Sequence, residues 1–461
     1  MTTVQAAIAA SRFGLGPCPG DLAAIAPDPK GWLRLQLQQT PAIPQRLQTF
    51  PGSAELGNTV FETLKKSREA NRNDRQQINR EMAQMFRQQY RGEALARTMA
   101  SIESGTPFYE RLVHFWSNHF TVSATKNQAQ PFLGAFEREV IRPHVLGRFE
   151  DMLLASTRHP AMLMYLDQAQ SIGPNSMAGQ FGGRGLNENL AREILELHTL
   201  GVDGGYSQDD VIAFAKMLTG WTLGAVKWLL PPRAAAQLPD LSGGDFLFAD
   251  LLHEPGPKDF LGYRFEQQGE AQAHLALSML ARHPATARFI ATKLARHFIA
   301  DDPPERAVSI LAQRFTQTGG DLKAMAHALI DLPEVWDAPL AKVRSPNDYV
   351  IAVARAIPLT VTENDVYRSL RDFGQQPFNA PSPAGWPDTG QAWLAPESLM
   401  RRVEAARNVA AAMPASLDPD SFLAATIGPV ANADTLLWVS RAPDRVEGLA
   451  MILAAPEFQR R

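Results

Sequence analysis

Residues Asn187 to His198 (NENLAREILELH) put three carboxylates, an arginine and a histidine into a single short stretch. Leu190, Ile194 and Leu197 recur at helical spacing, so the stretch reads as one helix. At about 100° per residue, Glu188, Asn189, Arg192, Glu193 and Glu196 fall within an arc of about 140°. His198 lies roughly 160° from Glu196 on the same period, so it joins them only if the helix ends or bends there. Two carboxylates sharing a partly dry cleft take separated pKa values, one serving as acid and the other as base. The same pattern also suits a solvated helix face carrying a Glu188–Arg192 pair.

A second group is His114-Phe115-Trp116-Ser117-Asn118-His119-Phe120. On a helix His114 and Asn118 share one face, and Phe115 and His119 share another. Both histidines reach one groove only if that helix is central. Neutral imidazole is a proton shuttle or a metal ligand near pH 7, although a core histidine bonded to backbone fits the pattern too. Weaker groups are His159-Pro160 with Tyr165 and Asp167, His253-Glu254 with Lys258, and His283-Pro284; His-Pro before a helix is often only a structural start. The chain has no GxSxG, GxxxxGK[ST], HExxH or CxxC motif, so serine-hydrolase, phosphate-loop and zinc-protease readings lack support.

The elements that must position these groups read as helices almost throughout: a mostly α, large multi-helical body with a small β-hairpin or lid insertion. Residues 1–57 form short helical pieces broken by prolines. Residues 58–104 form a protruding helical arm whose middle, Lys65 to Gln77, is nearly free of large apolar residues. Residues 105–223 form the central core with the candidate site; Thr106-Pro107 opens its first helix as N-cap and N1, and Ser207 with Asp210 caps another. Residues 224–265 form a lid loop in which Phe246–Phe248 and Leu261–Phe265 make the hairpin. Residues 266–461 form a C-terminal helical region packed on the core.

Forty-five per cent hydrophobic and 20% charged residues suit a globular protein, and 461 residues exceed one typical core. A net charge of −3 leaves no electrostatic footprint for nucleic acid. The single cysteine, Cys18, excludes an internal disulfide and suits a reducing compartment. No apolar run approaches the roughly 20 residues of a membrane span, and the N-terminus lacks the pattern of an export signal. The expected location is therefore cytoplasmic.

RFGLGP at 12–17, HFWSNHF at 114–120, HPAMLMYLD at 159–167, the block at 187–211, LTGW at 218–221, HPATARFIATKLARHF at 283–298 and GWP at 385–387 together resemble the DUF1800 family. That family is bacterial and has no assigned reaction. Its members often carry export signals, from which this chain departs because its motif starts at Arg12. Their genes often lie beside a DUF1501 gene, so the resemblance implies a DUF1501-type protein partner. It also implies that the histidine and carboxylate blocks are the family's signature and converge on one site.

Two readings follow. In the first, the chain is a hydrolase-like enzyme acting on a polar or glycan-like substrate. Glu193, Glu196, His114, His119 and His198 do the proton chemistry in a cleft roofed by the lid; the same set can also hold a divalent metal that activates water. Arg192, Asn187, Asn189, Trp221, His253 and Lys258 bind substrate. In the second, the chain is a non-catalytic helical scaffold or partner-binding protein, with the carboxylates and Arg192 forming a buried lattice.

Overall fold

A computed structural model of the chain describes residues 3–181, 185–229, 239, 241–337 and 340–461. The tip of the expected lid, 230–238 with 240, and residues 182–184 just before the Asn187 helix lie outside these. The described residues are mostly α-helical, with strand confined to two two-stranded sheets.

Residues 53–103 form a helical hairpin, Ser53–Glu69 followed by Arg72–Glu103. Asn71 starts the second helix by accepting from the backbone N–H of Asn73 and Asp74, which satisfies two orphan donors. The Arg75 guanidinium closes the turn on the carbonyls of Ser67, Arg68 and Ala70. Around this turn the side chains are exposed, whereas Glu93 to Ser101 are buried at the root.

The Pro107–His119 helix is central, with Phe108, Tyr109, Val113 and Trp116 all buried. Proline opens it, but the Thr106 hydroxyl makes no cap bond, and the Thr106 N–H instead donates to Ser104 Oγ. The Ser207–Asp210 capping box is present, and the other oxygen of Asp210 accepts from the N–H of Leu261 at 2.7 Å. His159 and His283 are themselves N-caps, their Nδ1 atoms accepting from the N–H of Ala161 and Ala285.

The β structure is divided otherwise than the apolar pieces suggest. β1 (Trp221–Leu223) pairs antiparallel with β2 (Phe246–Phe248), and β3 (Lys258–Phe260) with β4 (Tyr263–Phe265). Leu261 and Gly262 both have positive φ, 49° and 77°, as a two-residue type I′ hairpin turn requires. Leu261-Gly262 is thus the turn of its own ribbon rather than strand, which leaves β2 to pair backward.

Two hydrophobic cores organise the molecule. The larger runs from Ala6 to Leu340; the smaller joins the Pro346–Ala356 helix to the last four α-helices, through Tyr349, Ala406, Phe422, Leu449 and Leu453. The region 266–461 divides between them: the helices Glu270–Ala281, Pro284–Phe298, Glu305–Thr318 and Leu322–Asp331 belong to the larger core.

Candidate functional site

A cavity of about 450 Å³ lies where the two cores meet. One wall is the polar side of the Pro107–His119 helix, a second is the Pro284–Phe298 helix, and the third is the irregular segment 375–393. That segment is pinned by its glycine: Gly385 has φ +84°, and a Cβ there would stand 2.6 Å from the Asn118 carbonyl oxygen. Only glycine lets the chain approach so closely. Asn118 then exchanges two hydrogen bonds with the Trp386 backbone, donating to its carbonyl at 2.9 Å and accepting from its N–H at 2.7 Å. The pinned segment presents the half-buried rings of Trp386 and Trp393, 6.1 Å apart, to the cavity.

His114 and His119 both line this cavity, which they can do because the helix is central. His119 is 2% exposed, and its Nε2 lies 3.1 Å from the His198 carbonyl. Nε2 must therefore carry the hydrogen, leaving a lone pair on Nδ1. His114 Nε2 meets Ser101 Oγ at 2.9 Å. The Nδ1 atoms of both rings are buried without a partner among the described residues. Burial pushes both pKa values well down, aided by Arg97 at His114 and by Lys293 at His119, so both are neutral at pH 7.

The opposite wall carries His297, whose Nδ1 lies 2.9 Å from Asp388 Oδ2. Burial lowers His297 to about 4, although Asp388 opposes the shift. Burial would raise Asp388, but His297, Lys342 and Arg461 hold it well below the usual carboxylate range. The pair is therefore a neutral imidazole donating from Nδ1 to an ionised carboxylate. Arg461 Nη2 lies 3.4 Å from Nδ1 and 3.5 Å from Nε2, at the outer limit of hydrogen-bond distance. One turn earlier on the helix, Lys293 also faces the cavity; burial lowers it to about 8.

The Asn187–His198 segment takes a different course. It is α-helical over Asn189–Glu193 and becomes a π-turn over Ile194–Thr199, where Thr199 Oγ1 donates to the Ile194 carbonyl and the N–H of Leu200 to that of Leu195. The wider turn changes the phase of the following residues. The bend does not bring His198 to the carboxylates: it faces the core, its ring centre 6.1 Å from that of His119, and burial lowers it to about 3. Glu193 and Glu196 are half-buried and do not line the cavity. Burial and then Glu196 raise Glu193. Neither makes an ion pair with Arg192, which is 41% exposed and pairs with Glu188 at 2.9 Å and Gln208 at 3.0 Å. Asn187 caps this helix by accepting from the Asn189 N–H at 2.9 Å. Both asparagines line a shallow surface depression apart from the cavity.

The remaining nominated residues have structural partners. Trp221 is fully buried in β1, with Phe246 against it at 5.2 Å and the Arg158 guanidinium over its ring. His253 Nδ1 donates to the Thr219 carbonyl at 2.8 Å, and Lys258 Nζ donates to the carbonyls of Glu254 and Gly256. The Glu254 carboxylate accepts from Asn175 N and Nδ2. These contacts tie the 250–258 loop to the Gly173–Asn175 turn and the end of the Gln208–Leu218 helix. The cavity is covered by 375–393; the described part of 224–265 does not line it. Among the described residues no three His, Cys, Asp or Glu gather so as to hold a metal ion.

The family model described as a protein of unknown function (DUF1800) matches residues 8–460. The chain belongs to the DUF1800 family. No curated protein and no solved structure matches it.

Within this DUF1800 chain, HFWSNHF and GWP are the two faces of one junction, joined through Asn118 and Gly385. HPATARFIATKLARHF supplies Lys293 and His297, which the reading of isolated motifs passed over. Their i, i+4 spacing on an amphipathic helix was the available signal. Arg111, Asp348, Asp388 and Arg461 carried no local signal, since nothing near them in sequence marks them as buried. No helix of the described residues is long and apolar enough to cross a membrane.

Proposed function

We propose that this protein is a hydrolase-like enzyme whose proton chemistry takes place at His297 in the cavity between the two cores. The observation that carries the reading is the His297–Asp388 pair. A half-buried ionised carboxylate fixes the tautomer and leaves the Nε2 lone pair of a neutral imidazole to act as base. In this reading Nε2 takes a proton from water, the water oxygen attacks, the substrate's C–O bond breaks, and His297 returns the proton to the leaving oxygen. Asp388 stabilises the imidazolium formed in between. Trp386 and Trp393 offer apolar faces at the rim, which suits a carbohydrate-like substrate with polar edges. His119 and His114 contribute unpartnered Nδ1 acceptors for substrate hydroxyls.

The test is release of reducing ends from a panel of polar oligosaccharides, followed by mass spectrometry. His297→Asn and Asp388→Asn should each lower turnover at least about 100-fold. For the wild-type enzyme, kcat/KM should fall as pH drops through about 4, because the base is then protonated. Equal turnover in all three proteins would overturn the reading. No turnover of any substrate by the wild-type protein would favour the scaffold alternative, which draws support from the buried arginine–carboxylate lattice beside the cavity. A second catalytic arrangement rests on Glu193, raised by burial and by Glu196, as an acid beside a base. Loss of turnover in Glu193→Gln and Glu196→Gln, but not in His297→Asn, would select it.

A further inference from the structure

Six basic side chains line the cavity against three acidic ones, an excess of three positive charges, and the three lining histidines are held neutral. Most of these charges are matched. Arg97 binds Glu137, Arg111 and Arg461 share Asp348, and Lys342 lies against Asp301 and Asp388. Lys293 and Arg296 have no carboxylate partner among the described residues, and Arg296 instead donates from Nε to the Asp301 carbonyl. Lys293 Nζ makes no hydrogen bond among them and rests 5.4 Å above the Phe289 ring, itself 6.3 Å from His119. Arg111 is 0% exposed; its Nε donates to the Gly14 carbonyl and its Nη1 to Asp348, but its Nη2 is buried with no partner. A desolvated cationic donor left unpaired is costly unless something negative completes it.

We propose that the cavity contains an oxyanion subsite, in which a carboxylate or phosphate group on the substrate binds Lys293 Nζ and Arg111 Nη2 beside His297. This rests on the reading of the cavity as a substrate site and names the class of substrate: a polar, carbohydrate-like molecule carrying an acidic group. Lys293 stands one helical turn before His297, so an anion held there places the adjoining part of the molecule at the base. Asp388 repels it little, because the cationic Lys342 and Arg461 offset that carboxylate and His297 Nδ1–H donates to it. The other charged or titratable groups around Lys293 are His119 and His198 from the central helices and Arg296 and His297 from its own helix. The histidines are neutral and Arg296 is cationic.

The test measures binding rather than turnover, by calorimetry on the full chain with inorganic phosphate, glucuronate and glucose. At pH 7 phosphate or glucuronate should bind at least about 10-fold more tightly than glucose; which of the two is tighter identifies the source of the oxyanion. Lys293→Gln should weaken the anion at least about 10-fold and leave glucose unchanged, while Lys293→Arg should retain it. Anion affinity in the wild type should decline as pH rises through about 8, where free Lys293 loses its proton, and stay flat over that range in Lys293→Arg. His297→Asn should bind the anion normally even though its turnover is lost, which separates this subsite from the hydrolytic reading. Failure of both anions to bind the wild-type protein overturns the proposal. So does equal anion binding by Lys293→Gln, and Lys293→Arg supplies the pH criterion if Lys293→Gln does not fold.

Discussion

Two buried clusters of charge share a wall at Arg97 and Glu137, and they treat their charges in opposite ways. On one side, Arg142 grips Glu110 at 2.8 and 2.9 Å and Glu137 at 3.0 Å, Arg97 grips Glu137 at 2.5 Å, and Arg138 reaches Glu93 at 2.9 Å. There Glu137 keeps its charge, although burial pushes Glu93 up in spite of Arg138. Burial alone would raise Glu137, but Arg97 and Arg142 bring it down to about 2. On the other side, His114, His119, His297 and Lys293 meet the same desolvation with fewer partners, and all are pushed toward their neutral forms. Paired charge makes a lattice that holds helices in register; unpaired polar groups around a cavity are poised to meet a ligand.

The largest expected effect would break the lattice. Arg142→Met strands the buried Glu110 and leaves Glu137 with Arg97 alone, and should cost about 3–5 kcal/mol in denaturant unfolding. Lys293→Gln, which leaves no partner behind, should leave stability unchanged or raised by about 1 kcal/mol. A comparable loss for both would erase the distinction between the two clusters. Next comes the cavity wall. Gly385→Ala forces a Cβ onto Asn118 at positive φ and should cost roughly 1–3 kcal/mol. Fluorescence of Trp386 and Trp393 should report their release, and an unshifted spectrum with unchanged stability would mean the segment is not pinned as described.

A smaller effect concerns Glu193. Its pKa is raised in the fold, so its ionisation opposes stability above its ordinary value, and that penalty vanishes as pH falls below it. Glu193→Gln should therefore be as stable as the wild type or slightly more so at pH 7, with the difference closing near pH 4. A marked loss at pH 7 would make Glu193 part of a lattice after all. Smallest of all, Arg192→Ala should stay within about 0.5 kcal/mol, because its pair with Glu188 is solvent-exposed.

Local chemistry made several elements legible. The Ser207–Asp210 box, the His-Pro helix starts at 159 and 283, the solvated turn between the arm helices and the helical class of the chain all follow from residues near one another. The Asn187–His198 block was legible as a helix but not as a π-turn. Its hydrophobic spacing fits a regular α-helix nearly as well, and the choice falls to what Ile194, Leu195 and His198 pack against. Arg192 was read as a lattice partner, yet the lattice is built from Arg97, Arg138 and Arg142, whose neighbours in sequence look no different from those of a surface arginine. Trp221 and Lys258 read as ligand contacts, but Trp221 is packed in the core and Lys258 is spent on backbone carbonyls.

What the sequence by itself determined is therefore the set of helices, their caps, the glycines that turns demand and the family to which the chain belongs. All of these depend on interactions a few residues apart, or on motifs kept in order. What only the tertiary structure decided is which polar groups lose water and which of them find a partner. Asp388 lies 91 residues from His297, and Arg111 lies 237 from Asp348. Desolvation and pairing across such separations are set by the meeting of two cores, and no local pattern encodes that meeting.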